Sequence, residues 1–174
     1  MATSSAIGWT RRDFLGSAGA IAAAATLPAW FLEVCPAPAL GSENSPNERS
    51  RVALVGCGGM GTADATLAQR FGDVVAVCDV DQSHLERALA NFKGAKGFHD
   101  YREVCDRPDV DVIINGTPDH WHTLVNLRAV GCGKDVYSEK PLTLTIDEGK
   151  RIVAAVKQSG RILQTGSQQR SDPT

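Results

Sequence analysis

The chain has 174 residues and a formal net charge of −2, with 43% hydrophobic and 22% charged residues. The slight acidity and the absence of any basic run exclude a nucleic-acid surface. Five cysteines stand too far apart for a Cys-x-x-Cys pair, so buried thiols are expected and neither a metal site nor a disulfide framework.

In chain order the first signal is Thr10-Arg11-Arg12-Asp13-Phe14-Leu15, followed by an uncharged, alanine-rich run through Leu32 and the small-x-small site Ala37-Pro38-Ala39. This resembles a twin-arginine export signal over residues 1–39, cut after Ala39. It implies passage through the twin-arginine export machinery to the periplasm or beyond, a route that carries folded proteins. The competing reading is an uncleaved membrane anchor, since the run reaches the roughly 20 residues that span a bilayer. Weakly hydrophobic Ala and Gly, and Pro28 within the run, weigh against it. No stable membrane span is expected after cleavage. About 135 residues then remain, room for one domain of ordinary size. Residues 40–50, rich in Ser, Asn, Glu and Pro, read as a flexible leader.

Val52-Ala53-Leu54-Val55 is an apolar strand that runs straight into Gly56-Cys57-Gly58-Gly59-Met60-Gly61. A second apolar run, Val74-Val75-Ala76-Val77-Cys78, ends on Asp79. Together they form a dinucleotide-binding βαβ fingerprint, with the acid about 20 residues past the glycines. Gly56 permits the tight turn, Gly58 leaves room for backbone amides to approach a diphosphate, and Gly61 lets the helix lie close to the sheet. A helix starting near Gly59, with Met60 in its first turn, aims its dipole and free amides at the phosphates. The Asp79 carboxylate accepts from ribose hydroxyls and repels a 2′-phosphate, which favours NAD over NADP. The alternative role for the acids is helix capping, by Asp81 or through the box Ser83-His84-Leu85-Glu86.

Alternating strands and helices continue to residue 170. Leu85, Ala88, Leu89 and Phe92 share one helix face. A short strand at Gly97-Phe98 leads to Asp100 as a cap, and Val110 to Asn115 holds the fourth strand. After the exit loop Gly116-Thr117-Pro118-Asp119, a helix from Trp121 to Val130 is predicted. A fifth strand spans Asp135 to Ser138, and Thr145-Ile146-Asp147-Glu148 is a capping box. Ile146, Ile152, Val153 and Val156 are expected on the inner face of the helix it opens, and Arg161 to Thr165 is the sixth strand. The fold class is α/β: a Rossmann-type doubly wound parallel sheet in three layers.

Asp109-Val110-Asp111-Val112-Ile113-Ile114, then Thr117-Pro118-Asp119-His120-Trp121-His122, then Glu139-Lys140-Pro141 resemble, in order and spacing, the glucose-fructose oxidoreductase, inositol dehydrogenase and rhizopine catabolism family (Gfo/Idh/MocA). The resemblance covers nearly all of residues 51–170. It implies an NAD(P)-dependent oxidoreductase acting on sugars, cyclitols or related polyols. It places Lys140 beside nicotinamide and substrate, with Glu139 orienting the loop and Pro141, in a Lys-Pro bond able to be cis, fixing the backbone. An ammonium near the substrate oxygen stabilises the alkoxide that develops as hydride leaves carbon. Taken alone, Glu139-Lys140 also reads as a surface ion pair. Thr117, Pro118, Asp119 and His122 match the loop under the nicotinamide half of the cofactor. Asp119 stands where many members have asparagine and equally suits a helix cap. His120 is a candidate for ligand stacking, whereas Trp121 is expected in the core.

Family members continue into a second α/β domain that holds the substrate and mediates oligomers, whereas this sequence ends at residue 174, with 171–174 as the start of the link. The expectation is a cofactor domain with little turnover alone and a homo-oligomer only through the further domain. Two other functions compete: the NAD-dependent glycosidase branch similar to this family, whose members usually replace the lysine kept here as Lys140, and a non-catalytic NAD-binding module.

Overall fold

The computed structural model describes residues 49–170. The expected export signal, all but the end of the leader, and residues 171–174 lie outside the described residues. Six parallel strands form one sheet: β1 (Ser50–Val55), β2 (Gly72–Cys78), β3 (Lys96–Phe98), β4 (Val112–Asn115), β5 (Asp135–Ser138) and β6 (Leu163–Thr165). Their order is β3-β2-β1-β4-β5-β6, so the chain reverses its direction of travel across the sheet between β1 and β4. A crevice opens at such a switch point, outside the carboxyl ends of the strands. The register sets Cys78, Val55, Asn115, Ser138 and Thr165 at one level along that edge. Every loop with reactive side chains therefore leaves the sheet on the same side.

Five helices, numbered here among the described residues, cover the two faces: α1 (Gly59–Ala68), α2 (Gln82–Asn91), α3 (Tyr101–Cys105), α4 (His122–Gly131) and α5 (Ile146–Ser159). Helices α1 and α2 lie on Val52, Leu54, Val74, Val77 and Ile114, while α3, α4 and α5 cover Ala53, Val55, Ala76, Ile113 and Val136. The strands are apolar on both sides because both sides are buried, the pattern of a parallel sheet. Each fully buried Val, Leu or Ile contributes about 1.5–3 kcal/mol.

Local chemistry explains the helix starts. Asp81 caps α2 by accepting from the Ser83 and His84 amides, and Asp100 caps α3. The box expected at Ser83–Glu86 does not form, since Glu86 instead accepts from the Gln82 side chain at 2.8 Å. Thr145 and Glu148 do form theirs at α5. Asp119 makes no cap: it begins a 3₁₀ turn, Asp119–Trp121, and α4 starts at His122 without a side-chain cap. Two further expectations are corrected. Ile146 and Val153 are 82% and 53% exposed, and α5 instead packs through Ile152, Ala155 and Val156. Trp121 is 42% exposed rather than core, with its ring edge-on to Tyr101 at 6.2 Å. The cysteines at 57, 78, 105 and 132 are free thiols, the first three buried.

Candidate cofactor and reaction site

At the end of β1 the backbone turns at Gly56, whose φ of +89° is open to glycine and strained for other residues. A Cβ there would meet the Gly116 carbonyl carbon at 2.6 Å, and one at Gly116 would meet Gly61 Cα at 2.5 Å. A side chain at Gly61 would strike the Gly56 carbonyl oxygen and come within 3.1 Å of Leu54 Cδ1. Three backbones thus cross where a methyl group does not fit, which seats α1 directly over the β1–β4 gap. Gly58 and Gly59 differ: nothing lies within 4 Å of a Cβ at either, so their absent side chains leave open space.

Helix α1 has no side-chain cap. Its first amides, from Gly59 through Gly61, lack intrahelical acceptors by helix geometry, and Met60 stands half in solvent at 43% exposure. Such an end favours an anion through both its amides and its dipole. Asp79 braces the turn. Its carboxylate accepts from the Cys57 amide at 2.7 Å and the Asp81 amide at 2.9 Å, with His84 Nδ1 at 3.5 Å. Each carboxylate oxygen keeps lone-pair capacity for a further donor. Burial, with Asp79 nearby, pushes the Cys57 thiol up to about 12, so it stays protonated and unreactive at neutral pH.

Beside Asp79 lies a cleft of about 150 Å³ walled by Val80, His99, Tyr101, Thr117, Pro118 and Trp121. Sequence reasoning missed Tyr101 and His99 here. The available signal was an aromatic one residue after the Asp100 cap, at the carboxyl edge of the sheet.

Beyond β4 and β5 the site is built from side chains. Asn115, fully buried, donates to the His122 carbonyl at 3.2 Å and to Asn126 Oδ1 at 2.8 Å, and accepts from the Thr117 amide and hydroxyl. Asn126 in turn donates to the Ser138 hydroxyl at 2.9 Å. His122, 1% exposed, places Nδ1 2.6 Å from the Pro141 carbonyl oxygen and Nε2 2.8 Å from that of Thr117. The imidazole thus sits between the Thr117 loop and the Lys140 loop, within hydrogen-bond distance of a carbonyl from each. A neutral ring donates to one of these carbonyls at a time, and both bonds together take a ring with two N–H groups.

Glu139 is 3% exposed and accepts from the Lys140 amide at 3.2 Å, so it is no surface ion pair. Lys140 is exposed, and the Lys140–Pro141 bond is cis. Pro118 and Asp119 are exposed at the crevice edge, and Thr117 is half-buried there. The structure thus gathers the glycine turn with Asp79 at one end of the edge and Thr117, His122, Glu139 and Lys140 at the other.

A family profile described as an oxidoreductase family with an NAD-binding Rossmann fold, GFO_IDH_MocA, matches residues 50–167. The chain is similar to inositol 2-dehydrogenase 4 of Saccharopolyspora erythraea, 37% identical over 131 residues, covering 73% of this chain and 39% of that protein. An alpha-N-acetylgalactosaminidase of Shewanella oneidensis is 29% identical over 164 residues, covering 82% of this chain and 36% of its own length. Among solved structures, myo-inositol dehydrogenase from Lactobacillus casei in complex with NAD(H) and myo-inositol aligns with a TM-score of 0.67 at 29% identity, over 71% of this chain and 38% of that one. The chain spans well under half the length of the curated relatives it matches, 39% and 37% in two inositol 2-dehydrogenases. With its strand order, its glycine-crossed first turn and this match, the chain belongs to the GFO_IDH_MocA oxidoreductase family and carries that family's NAD-binding Rossmann fold.

Proposed function

We propose that residues 51–170 hold NAD for hydride transfer to or from a CH–OH group of a cyclitol, sugar or related polyol. The residues present fit the cofactor: an uncapped helix end for the diphosphate, open space at Gly58 and Gly59, and a carboxylate at Asp79 for ribose hydroxyls. The part of the cleft beside Asp79, at Val80, His99 and Tyr101, suits the adenine end. NAD⁺, when bound, supplies the hydride acceptor.

Lys140 would hold its ammonium against the substrate oxygen and stabilise the charge that gathers there as the hydroxyl proton leaves. Glu139 fixes the loop through the Lys140 amide, and His122 donates to the Pro141 or the Thr117 carbonyl. The observation that carries the reading is this one buried imidazole, which stands between both reactive loops on the same sheet edge as the uncapped α1. The relatives' inositol dehydrogenase names support the polyol class. Substrate-holding groups are assigned to a second α/β domain, which the family resemblance implies. The sequence around Arg11 and Arg12 supports export through the twin-arginine machinery before residues 1–39 are removed, leaving the protein in the periplasm or outside the cell.

Titration of the chain with NAD tests the cofactor half. Saturable uptake is expected, with weaker uptake of NADP; a flat titration contradicts it. Dehydrogenation is tested by NADH formation from inositols in a form of the protein that carries a second domain, and no reduction of NAD by any polyol would overturn it. The similarity to a glycosidase favours one other reading, transient oxidation that assists glycoside cleavage. Aglycone release that requires NAD but yields no net NADH would identify that reaction.

A further inference from the structure

Two carboxyl groups meet beneath the reactive loop. Asp64 lies in the second turn of α1, the helix whose amino end faces the diphosphate position, and Glu139 follows β5. Asp64 Oδ2 and Glu139 Oε1 are both buried, and neither has a hydrogen-bond partner. The Tyr137 hydroxyl borders the same spot: a Cβ at Gly166 would lie 2.9 Å from it and would also run into the Glu139 carboxylate. A Tyr137 hydroxyl turned toward Glu139 would serve Oε1, but it leaves Asp64 Oδ2 without a partner. Two carboxylates are acceptors only, whereas one added proton turns one of them into a donor and satisfies both orphaned oxygens.

We propose that Asp64 and Glu139 form an acid pair that holds a single proton between them in mildly acidic water. That proton fastens the Glu139-Lys140-Pro141 loop to α1, and its loss at higher pH leaves two like charges face to face. Asp64 is then a positioning residue for Lys140, acting through Glu139. Its bearing on catalysis rests on the role given to Lys140 above, while the pair itself does not. Burial and the facing Glu139 carboxylate raise the Asp64 carboxyl from its usual 3.8 to about 6. The groups that face it are Glu139 and Tyr137, and burial together with the same two acids raises the Tyr137 hydroxyl. A rise of about two units is roughly a hundredfold tighter hold on the proton in the folded chain.

The sign follows from linkage. A carboxyl whose folded value is raised costs nothing below about pH 4, where both states hold the proton, and destabilises the fold progressively as pH climbs from about 4 to about 6, above which the cost is constant. Asp64→Asn supplies a permanent N–H donor and does not titrate. The melting temperature of the full chain, as Asp64→Asn minus wild type, is therefore expected to grow between about pH 4 and about pH 6 and to level off above that. Glu139→Gln should show the same trend, which keeps the test valid if one variant fails to fold. Wild type should also show a carboxylic-acid carbonyl stretch in the infrared that disappears with a midpoint near 6, the folded-state value, and is missing in Asp64→Asn.

The positioning role has its own readout. The Lys140 amide, bonded to Glu139 Oε2, should shift in NMR with the same midpoint in wild type and stay flat in Asp64→Asn. A pH-independent stability difference, or no titrating acid band, overturns the pair; a Lys140 amide that ignores the titration overturns the positioning role. Parallel titration with NAD separates the two readings. A chain that shows the acid titration yet takes up no NAD defeats the proposed function and leaves the pair standing.

Discussion

The two ends of the site are made from different materials. Around the β1–α1 turn, shape is set by backbone: Gly56, Gly61 and Gly116 cross so closely that no Cβ fits, and the anion-seeking groups are amides. Past β4 and β5, shape is set by side chains: Asn115, Asn126 and Ser138 form one buried chain, and His122 bridges two loops. A backbone site tolerates almost any residue on its open side and none on its packed side. A side-chain site tolerates change only where no buried partner is left unpaired.

The sharpest break of this comparison lies within the glycines. Gly61→Val should cost the most stability of any change discussed, about 4 kcal/mol or more, because the new side chain collides with the Gly56 carbonyl and Leu54. Gly58→Val faces empty space, so its unfolding curve should move by less than about 1 kcal/mol while NAD affinity falls at least about tenfold. Urea unfolding and calorimetry on both variants check the pair. If Gly58→Val unfolds as readily as Gly61→Val, the division between packed and open glycines is wrong.

At the other end, Asn115→Ala strands the Thr117 hydroxyl, the His122 carbonyl and the Asn126 amide oxygen. A loss of about 2–4 kcal/mol is expected in equilibrium unfolding. Asp79→Ala removes the acceptor for the Cys57 and Asp81 amides and the proposed ribose contact. About 1–2 kcal/mol of stability and about tenfold in NAD affinity should go together. Smallest of all, Lys140→Ala alters an exposed side chain, so stability should stay within about 0.5 kcal/mol and NAD affinity within about twofold. A large loss of NAD binding in that variant would move Lys140 from chemistry to cofactor capture.

What the sequence made legible follows the same divide. The glycine turn, Asp79 and the strand and helix alternation could be read because each rests on local spacing or on strands buried on both faces. The Thr145 capping box was legible for the same reason. The helix α5 face was misread: large Ile146 and Val153 drew the stripe toward themselves, while small Ala155 beside Ile152 and Val156 carries the contact. Trp121 was misplaced because burial of an indole depends on its neighbours, and here a 3₁₀ turn holds it at the cleft beside Tyr101. The Asn115–Asn126–Ser138 chain and the meeting of Asp64 with Glu139 were invisible, because they join residues from elements that only the sheet order brings side by side.

The central claim is that the uncapped end of α1, opened by Gly58, receives the diphosphate of NAD. Calorimetric titration of the chain and of Gly58→Val with NAD, at matched thermal stability, tests it most directly. Saturable uptake by wild type and its loss in Gly58→Val is the result expected; equal uptake by both, or none by wild type, would contradict the account.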